Sequence, residues 1–274
     1  MIVGLVIAKA HSRRLPNKNI LPFCGLPLVE WPIIQSLCSK MIDKTYVSTD
    51  SEKIAEIAEK RGATVIWRDY VEAIDAKASV PYIHAIKKIQ AEVGKIEVMA
   101  PLLATNPQRK PDDLDRGLRL WFELARKGIR LMEFPSTSIR HETLLYKIRQ
   151  DKYGWKYRTL YADKFYSAGM DSTICSFMQP DKWLDYQAKS MPETTDTALD
   201  KKAHNDRMVH WWSRIPRHYK HYRYFWPIEE WQCPDIDYET QFYFVESIMN
   251  HFILKGRGPE IYYEYREQKV LPEL

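Results

Sequence analysis

Apolar positions along the first hundred residues follow two alternating patterns. Residues 2–8 (IVGLVIA) form a short run of aliphatic and β-branched side chains, as expected of a strand buried on both faces of a parallel sheet. Residues 27–38 (PLVEWPIIQSLC) place apolar side chains at helical spacing, and residues 45–48 (TYVS) read as a second strand. Residues 51–60 (SEKIAEIAEK) predict an amphipathic helix with Ser51 as N-cap, acids in its first turn and Gly62 as its stop. A strand over 64–67, a helix over 80–93, a strand over 96–103 and a helix over 111–126 continue the alternation. Such a series predicts an α/β fold with a doubly wound, mostly parallel sheet. Beyond Gly128 the pattern loosens. Residues 139–177 mix short β-like runs with turns such as 151–154 (DKYG), and 179–231 hold helix-like pieces broken by prolines. A strongly apolar helix is expected over 238–254, and the polar residues 255–274 read as a loosely attached tail.

Composition narrows the class. The chain has 274 residues, 45% hydrophobic and 28% charged, an ordinary globular balance that excludes a disordered or low-complexity protein. The length suits one large domain over 1–274, and no apolar run approaches the roughly 20 residues of a membrane span. The N-terminal apolar run lacks a basic leader and reads as a strand, not a signal peptide. Cys24, Cys38, Cys175 and Cys233 include no C-x-x-C pair, so neither a zinc site nor a disulfide scaffold is expected, and a reducing, cytoplasmic compartment is the simplest reading. The net charge of +5 is unevenly placed. Residues 201–226 hold seven cations against Asp206 alone, amid many aromatics, while the rest of the chain is close to neutral.

Candidate chemistry begins in the loop after the first strand. Residues 9–19 (KAHSRRLPNKN) carry Lys9, Arg13, Arg14 and Lys18. In a doubly wound sheet this loop faces the ligand crevice, where clustered cations suit a polyphosphate. A merely solvated basic loop is the alternative. There is no G-x-x-x-x-G-K-[ST] and no G-x-G-x-x-G, so neither a P-loop nor a dinucleotide fingerprint is present. Asp235 and Asp237 lie two apart; in an extended segment both face one way and suit an octahedral Mg²⁺ that also binds phosphate. Capping of the following helix is the alternative for Asp237.

These segments, taken in order, resemble the acylneuraminate cytidylyltransferase family of CMP-sugar synthetases. The opening VIAKAHSRRLPNKNILPFCGLPL is similar to a pattern A-R-x-x-S-K-G-hydrophobic-P-x-K-N followed by G-x-P-L. Val47-Ser48-Thr49-Asp50, Trp67-Arg68, Asp75 to Ser79, residues 102–109 (LLATNPQR, against L-Q-P-T-S-P-L-R), Asp171 to Ile174 and residues 234–239 continue the match. The resemblance implies a Rossmann-like nucleotidyltransferase that uses CTP, Mg²⁺ and an acidic acceptor. It further implies that Lys9, Ser12, Arg13, Lys18 and Asn19 hold the triphosphate, with Lys9 and Lys18 catalytic, and that Arg68 and Ser79 meet the base. A salt-bridge or capping role is the alternative for Arg68. Asp235 and Asp237 would hold the metal and share in catalysis. Members are usually homodimers, and residues 133–166 occupy the position of the dimerisation segment.

The sequence also departs from that pattern. His11 and Arg14 replace small residues of the loop, Asp69 replaces a proline or arginine, and Leu103 replaces a glutamine. The arginines expected before residue 171 to receive the sugar carboxylate have no counterpart. Arg109 and, in the basic-aromatic insert 179–231, Arg214 and Arg217 are the candidate acceptor-binding residues. A small acid or phosphonate acceptor, or another nucleotide, stays open. So does a function of another class: cations interleaved with aromatics over 201–226 suit single-stranded nucleic acid, although the near-neutral body argues against nucleic acid as a partner.

Overall fold

The computed structural model describes residues 1–69, 80–129, 133–140, 146–151, 154–159, 168–190 and 226–269. A seven-stranded sheet in the order β11-β7-β10-β6-β1-β4-β5 organises them. β1 (Ile2–Ile7) lies between β4 (Lys44–Thr49) and β6 (Val98–Leu103), parallel to both, and β5 (Thr64–Trp67) extends the parallel half. β10 (Ala168–Met178) runs antiparallel to β6 and to β7 (Glu133–Arg140), and β11 (Trp226–Pro227) pairs parallel with β7. The expected doubly wound, mostly parallel sheet is therefore present. Two small two-stranded sheets complete the strands: β2 (Pro22–Phe23) with β3 (Leu26–Pro27), and β8 (Tyr146–Asp151) with β9 (Gly154–Thr159). Within the segment 133–166, residues Glu133–Arg140 thus belong to the central sheet and the later strands form a separate hairpin.

The sheet is central because consecutive residues of its inner strands enter opposite cores, as a period of two requires. Val6, Val47, Ala100 and Leu102 meet one cluster, covered by α1 (Glu30–Cys38), α2 (Glu52–Arg61), α4 (Asp113–Arg126), α6 (Glu239–Ile248) and α7 (Glu260–Glu267). Val3, Leu5, Tyr46 and Met99 meet the other, under α3 (Val80–Val93) and α5 (Pro180–Ser190). Gly4 faces α1 with no room for a side chain, since a Cβ there would lie 1.9 Å from Ser36 Oγ, itself bonded to Thr45 at 2.8 Å. The capping signals of α2 act as expected. Ser51 Oγ accepts from the Ile54 amide, and Gly62 ends the helix with φ 91°. The expected helix over 238–254 is α-helical to Ile248 and then widens to a π-helix over Met249–Leu254.

The segment after Gly256 is a correction to the expected loose tail. Helix α7 docks on α1 through Tyr262 and Tyr265, both buried. The Tyr262 hydroxyl donates to Arg109 O at 2.6 Å and receives the Gln35 amide at 3.1 Å. Tyr265 donates to Asp115 at 2.7 Å, and Lys40 Nζ bonds Gln268 O at 2.8 Å. A polar-looking sequence concealed this because alternate tyrosines carry the buried face. Tyr262→Ala is expected to lower unfolding free energy by about 3–5 kcal/mol and Tyr262→Phe by about 1 kcal/mol in urea titrations.

Candidate active site

Four parallel strands end at one edge, and the chain switches sides of β1 between β5 and β6, which opens a crevice there. The loop after β1 lines it. Its path is held from within. Asn17 takes the left-handed conformation at φ 56° and starts a 3-10 turn over Lys18–Ile20. Asn19 donates to Lys9 O at 2.9 Å and accepts the Val29 amide at 2.8 Å, while the Ala10 amide donates to Asp50 at 2.8 Å. These bonds bury Lys18 and Asn19 while Arg13 and Arg14 stay exposed.

A cleft of about 710 Å³ runs along this loop. Lys9, Ser12, Arg13, Arg14, Lys18 and Asn19 line one side. Arg68, Pro81, Tyr82, residues 103–105 and Asp237 close it. The structure thus gathers Lys9, Ser12, Arg13, Lys18, Asn19, Arg68 and Asp237, from three separate stretches of sequence, around one space. Ser79, Arg214 and Arg217 lie outside the described residues, as do residues 201–225 of the segment proposed for nucleic acid.

The segment 234–237 enters the site opposite the loop. Ile236 is buried between exposed Asp235 and half-buried Asp237, so the two carboxylates share the outward face of an alternating segment. Ile236 donates its amide to Thr105 O at 3.0 Å and accepts from Lys18 Nζ at its carbonyl. Lys18 Nζ also lies 3.8 Å from Asp237 Oδ1, and Arg14 forms an ion pair with Asp237 Oδ2. Burial pulls the Lys18 pKa below its ordinary value, Asp237 and Asp235 push it back up, and Arg14 and Lys9 pull it down. Asp237 does not cap α6 with its side chain; instead the Gln241 side chain accepts the amides of Asp237 and Tyr238. Asp237 is left lining the cleft, and Asp235 stands exposed beside it in sequence.

Two expected residues sit differently from their assigned roles. Arg109, a candidate acceptor ligand, is fully buried and spends its guanidinium on Gln35 Oε1 at 2.8 Å and Leu103 O at 3.2 Å. It braces α1 and the end of β6, and no surface of it reaches the cleft. Arg68 lines the cleft and also fastens strand ends, donating to Ala8 O at 3.1 Å and Ser48 O at 3.3 Å.

The scaffold behind the carboxylate segment gave no motif signal. The Gln108 side chain donates to Gln232 O and Pro234 O, and Asn106 donates to Pro234 O at 3.0 Å. Gln232 answers with bonds to Gln108 O at 3.2 Å and Asp113 at 2.7 Å. Neutral amides in a loop look like surface residues until their burial is known. The only available hint was that Asn106 and Gln108 stand where the resembled pattern has serine and leucine.

Comparison with known proteins identifies the family. A family model described as cytidylyltransferase matches residues 3–146, more than half of the chain. An N-acylneuraminate cytidylyltransferase of Oncorhynchus mykiss is 31% identical over 119 residues, which is 43% of this chain and 27% of that protein. A CMP-N,N'-diacetyllegionaminic acid synthase of Legionella pneumophila is 30% identical over 43% of this chain and 52% of its own. A pseudaminic acid cytidylyltransferase of Campylobacter jejuni is 33% identical over 40% and 48%. The aligned part of the chain therefore spans from about a quarter to about half the length of these relatives. Among solved structures, a CMP:2-keto-3-deoxy-manno-octonic acid synthetase complexed with CTP covers 91% of this chain and 98% of its own with TM-score 0.60 at 14% identity. A cytidylyltransferase of Leptospira borgpetersenii covers 98% of each chain with TM-score 0.56 at 18% identity. At such identities the structural likeness speaks to the fold.

Asp113 makes the bracing measurable. Burial pushes its carboxyl up to about 6, while the Lys110 amide and the Gln232 side chain hold it down. A carboxyl raised above its unfolded value favours the folded state most below the unfolded pKa of about 4, and loses that contribution as pH rises through about 6. Asp113→Asn is therefore expected to gain on the wild type between pH 4 and pH 8, by on the order of 2 kcal/mol in denaturant titrations.

Proposed function

This chain belongs to the cytidylyltransferase family, and we propose that it transfers CMP from CTP to the hydroxyl of an acidic sugar of the nonulosonic class, releasing pyrophosphate. The observation that carries the reading is the meeting of the basic loop and the carboxylate segment in one cleft at the carboxyl edge of the parallel strands. The curated relatives bear the names of an acylneuraminate, a legionaminic acid and pseudaminic acid, which supports an acidic acceptor here as well.

In this reading Lys9, Ser12 and Arg13 hold the β- and γ-phosphates, and Lys18 lies against the reacting α-phosphate. The acceptor oxygen forms a bond to that phosphorus as the bond to the bridging oxygen of pyrophosphate breaks. Negative charge grows on the equatorial and leaving oxygens, where fixed cations stabilise it without having to reorganise. Burial of Lys18 strengthens its field, and its bond to Ile236 O keeps the ammonium aimed into the site. Arg68, Pro81 and Tyr82 also line the cleft and offer a guanidinium and an aromatic face suited to a nucleotide base.

The donor set fits a hard divalent cation. Asp235 and Asp237 offer two carboxylates that flank the buried Ile236. Bound there, Mg²⁺ would neutralise phosphate charge and lower the pKa of the attacking hydroxyl. Asp237 is the carboxylate among the residues that line the cleft. The aliphatic Leu103 side, where the resembled pattern has glutamine, favours an acceptor with less polar contact at that point.

Pyrophosphate release is the direct test, run with CTP and the other nucleotides against a panel of nonulosonic acids and phosphonates. Activity is expected with CTP, and Lys18→Ala or Asp235→Ala is expected to lower kcat/KM by about 10²–10³-fold. No release with any pair, together with no thermal shift by CTP and Mg²⁺, would sink the reading.

A further inference from the structure

The loop carries one cation that the resembled pattern does not have. Arg14 stands where that pattern places glycine. Its guanidinium forms an ion pair with Asp237 Oδ2 and lies 5.7 Å from the centre of the Tyr238 ring. Lys18 Nζ stands 3.8 Å from the other oxygen, Oδ1. Both oxygens of Asp237 therefore face side-chain cations. A divalent cation needs those same oxygens, and a guanidinium in contact with them opposes its approach. Arg14 is also part of the wall of the triphosphate cleft, alongside Lys9, Arg13 and Lys18. Its planar fork matches a phosphate as well as it matches a carboxylate.

The geometry points to Arg14 as the resident counter-ion of Asp237, a positioning residue that withholds this carboxylate from divalent cations until a polyphosphate draws the guanidinium away. The inference rests on the site being a nucleotidyltransferase centre. Its physical content is a competition. In the free protein Arg14 neutralises Asp237. When a triphosphate enters, its greater charge attracts the guanidinium, and Asp237 becomes available to the metal that accompanies the nucleotide. Arg14 is more than half exposed and Asp237 more than a third, so solvent screens the pair and the effect is modest. The exposure also gives the side chain freedom to move between the two partners. Glycine at this position would leave Asp237 opposed by Lys18 alone.

Two binding measurements on the free, full-length chain decide it, neither of which needs turnover. Mn²⁺ affinity without nucleotide, measured by calorimetry or by loss of its free-ion EPR signal, is expected to rise about five- to tenfold in Arg14→Gln, which keeps a polar side chain and removes the charge. Arg14→Lys is expected to stay within about twofold of the wild type, because it keeps the charge. CTP affinity in the presence of EDTA is expected to fall several-fold in Arg14→Gln. Folding of each variant is checked by its thermal midpoint. Unchanged Mn²⁺ affinity in Arg14→Gln would overturn the counter-ion role even if pyrophosphate release is normal. Unchanged CTP affinity would overturn the hand-over. A tightened Mn²⁺ site in a protein that releases no pyrophosphate would keep the counter-ion role and remove the cytidylyltransferase reading.

Discussion

A buried ammonium holds the two halves of the site together. Lys18 leaves the loop after the first strand and reaches the carbonyl of Ile236, 218 residues later in the chain, beside Asp237. Such a group is costly to bury without partners. The carbonyl and the nearby carboxylates supply them, so the loop and the carboxylate segment stabilise each other. Each would present the wrong surface alone: a basic loop with no counter-charge, or an acidic segment with no cation. Placed together they leave a cleft lined by the cations of the loop and by the Asp237 carboxylate.

That contact depends on a scaffold whose parts are distant from it. Buried amides of Asn106 and Gln108 hold the carbonyl of Pro234, Gln232 holds the carbonyl of Gln108 in turn, and the backbone of Thr105 holds Ile236. Arg109 ties the same turn to α1, and Tyr262 of α7 closes over it from the C-terminal end. Pro234 O keeps one amide donor if either Asn106 or Gln108 is truncated, whereas truncating Arg109 removes the donor that buried Gln35 Oε1 accepts from. The C-terminal helix thus belongs to the support of the site, although none of its residues lines the cleft.

Legibility from the sequence followed periodicity and charge. Strands over residues 64–67 and the helix over 80–93 were readable to the residue, because β-branched runs and a regular apolar stripe leave little choice. The basic loop and the paired aspartates were readable through the family resemblance, because by themselves a solvated loop and a helix cap explain such short charged patterns as well. The docked C-terminus was not, since its buried face is made of tyrosines among charged residues. The role of Arg109 was misjudged for a related reason. An arginine in a site-forming motif can serve substrate or scaffold equally well, and only its complete burial decides between them. The pair between Arg14 and Asp237 joins residues whose proximity no local pattern encodes.

The account stands on the basic loop and the carboxylate segment forming a single triphosphate site. Diffraction from crystals grown with a non-hydrolysable CTP analogue and Mn²⁺ tests that most directly, since the anomalous signal of manganese places the ion independently of the protein density. The account predicts the ion beside Asp235 and Asp237, bridged to phosphate oxygens, with Lys18 against the α-phosphate. An analogue bound in the cleft with the ion and its phosphates away from both aspartates, or no density between the loop and residues 234–237, would contradict it.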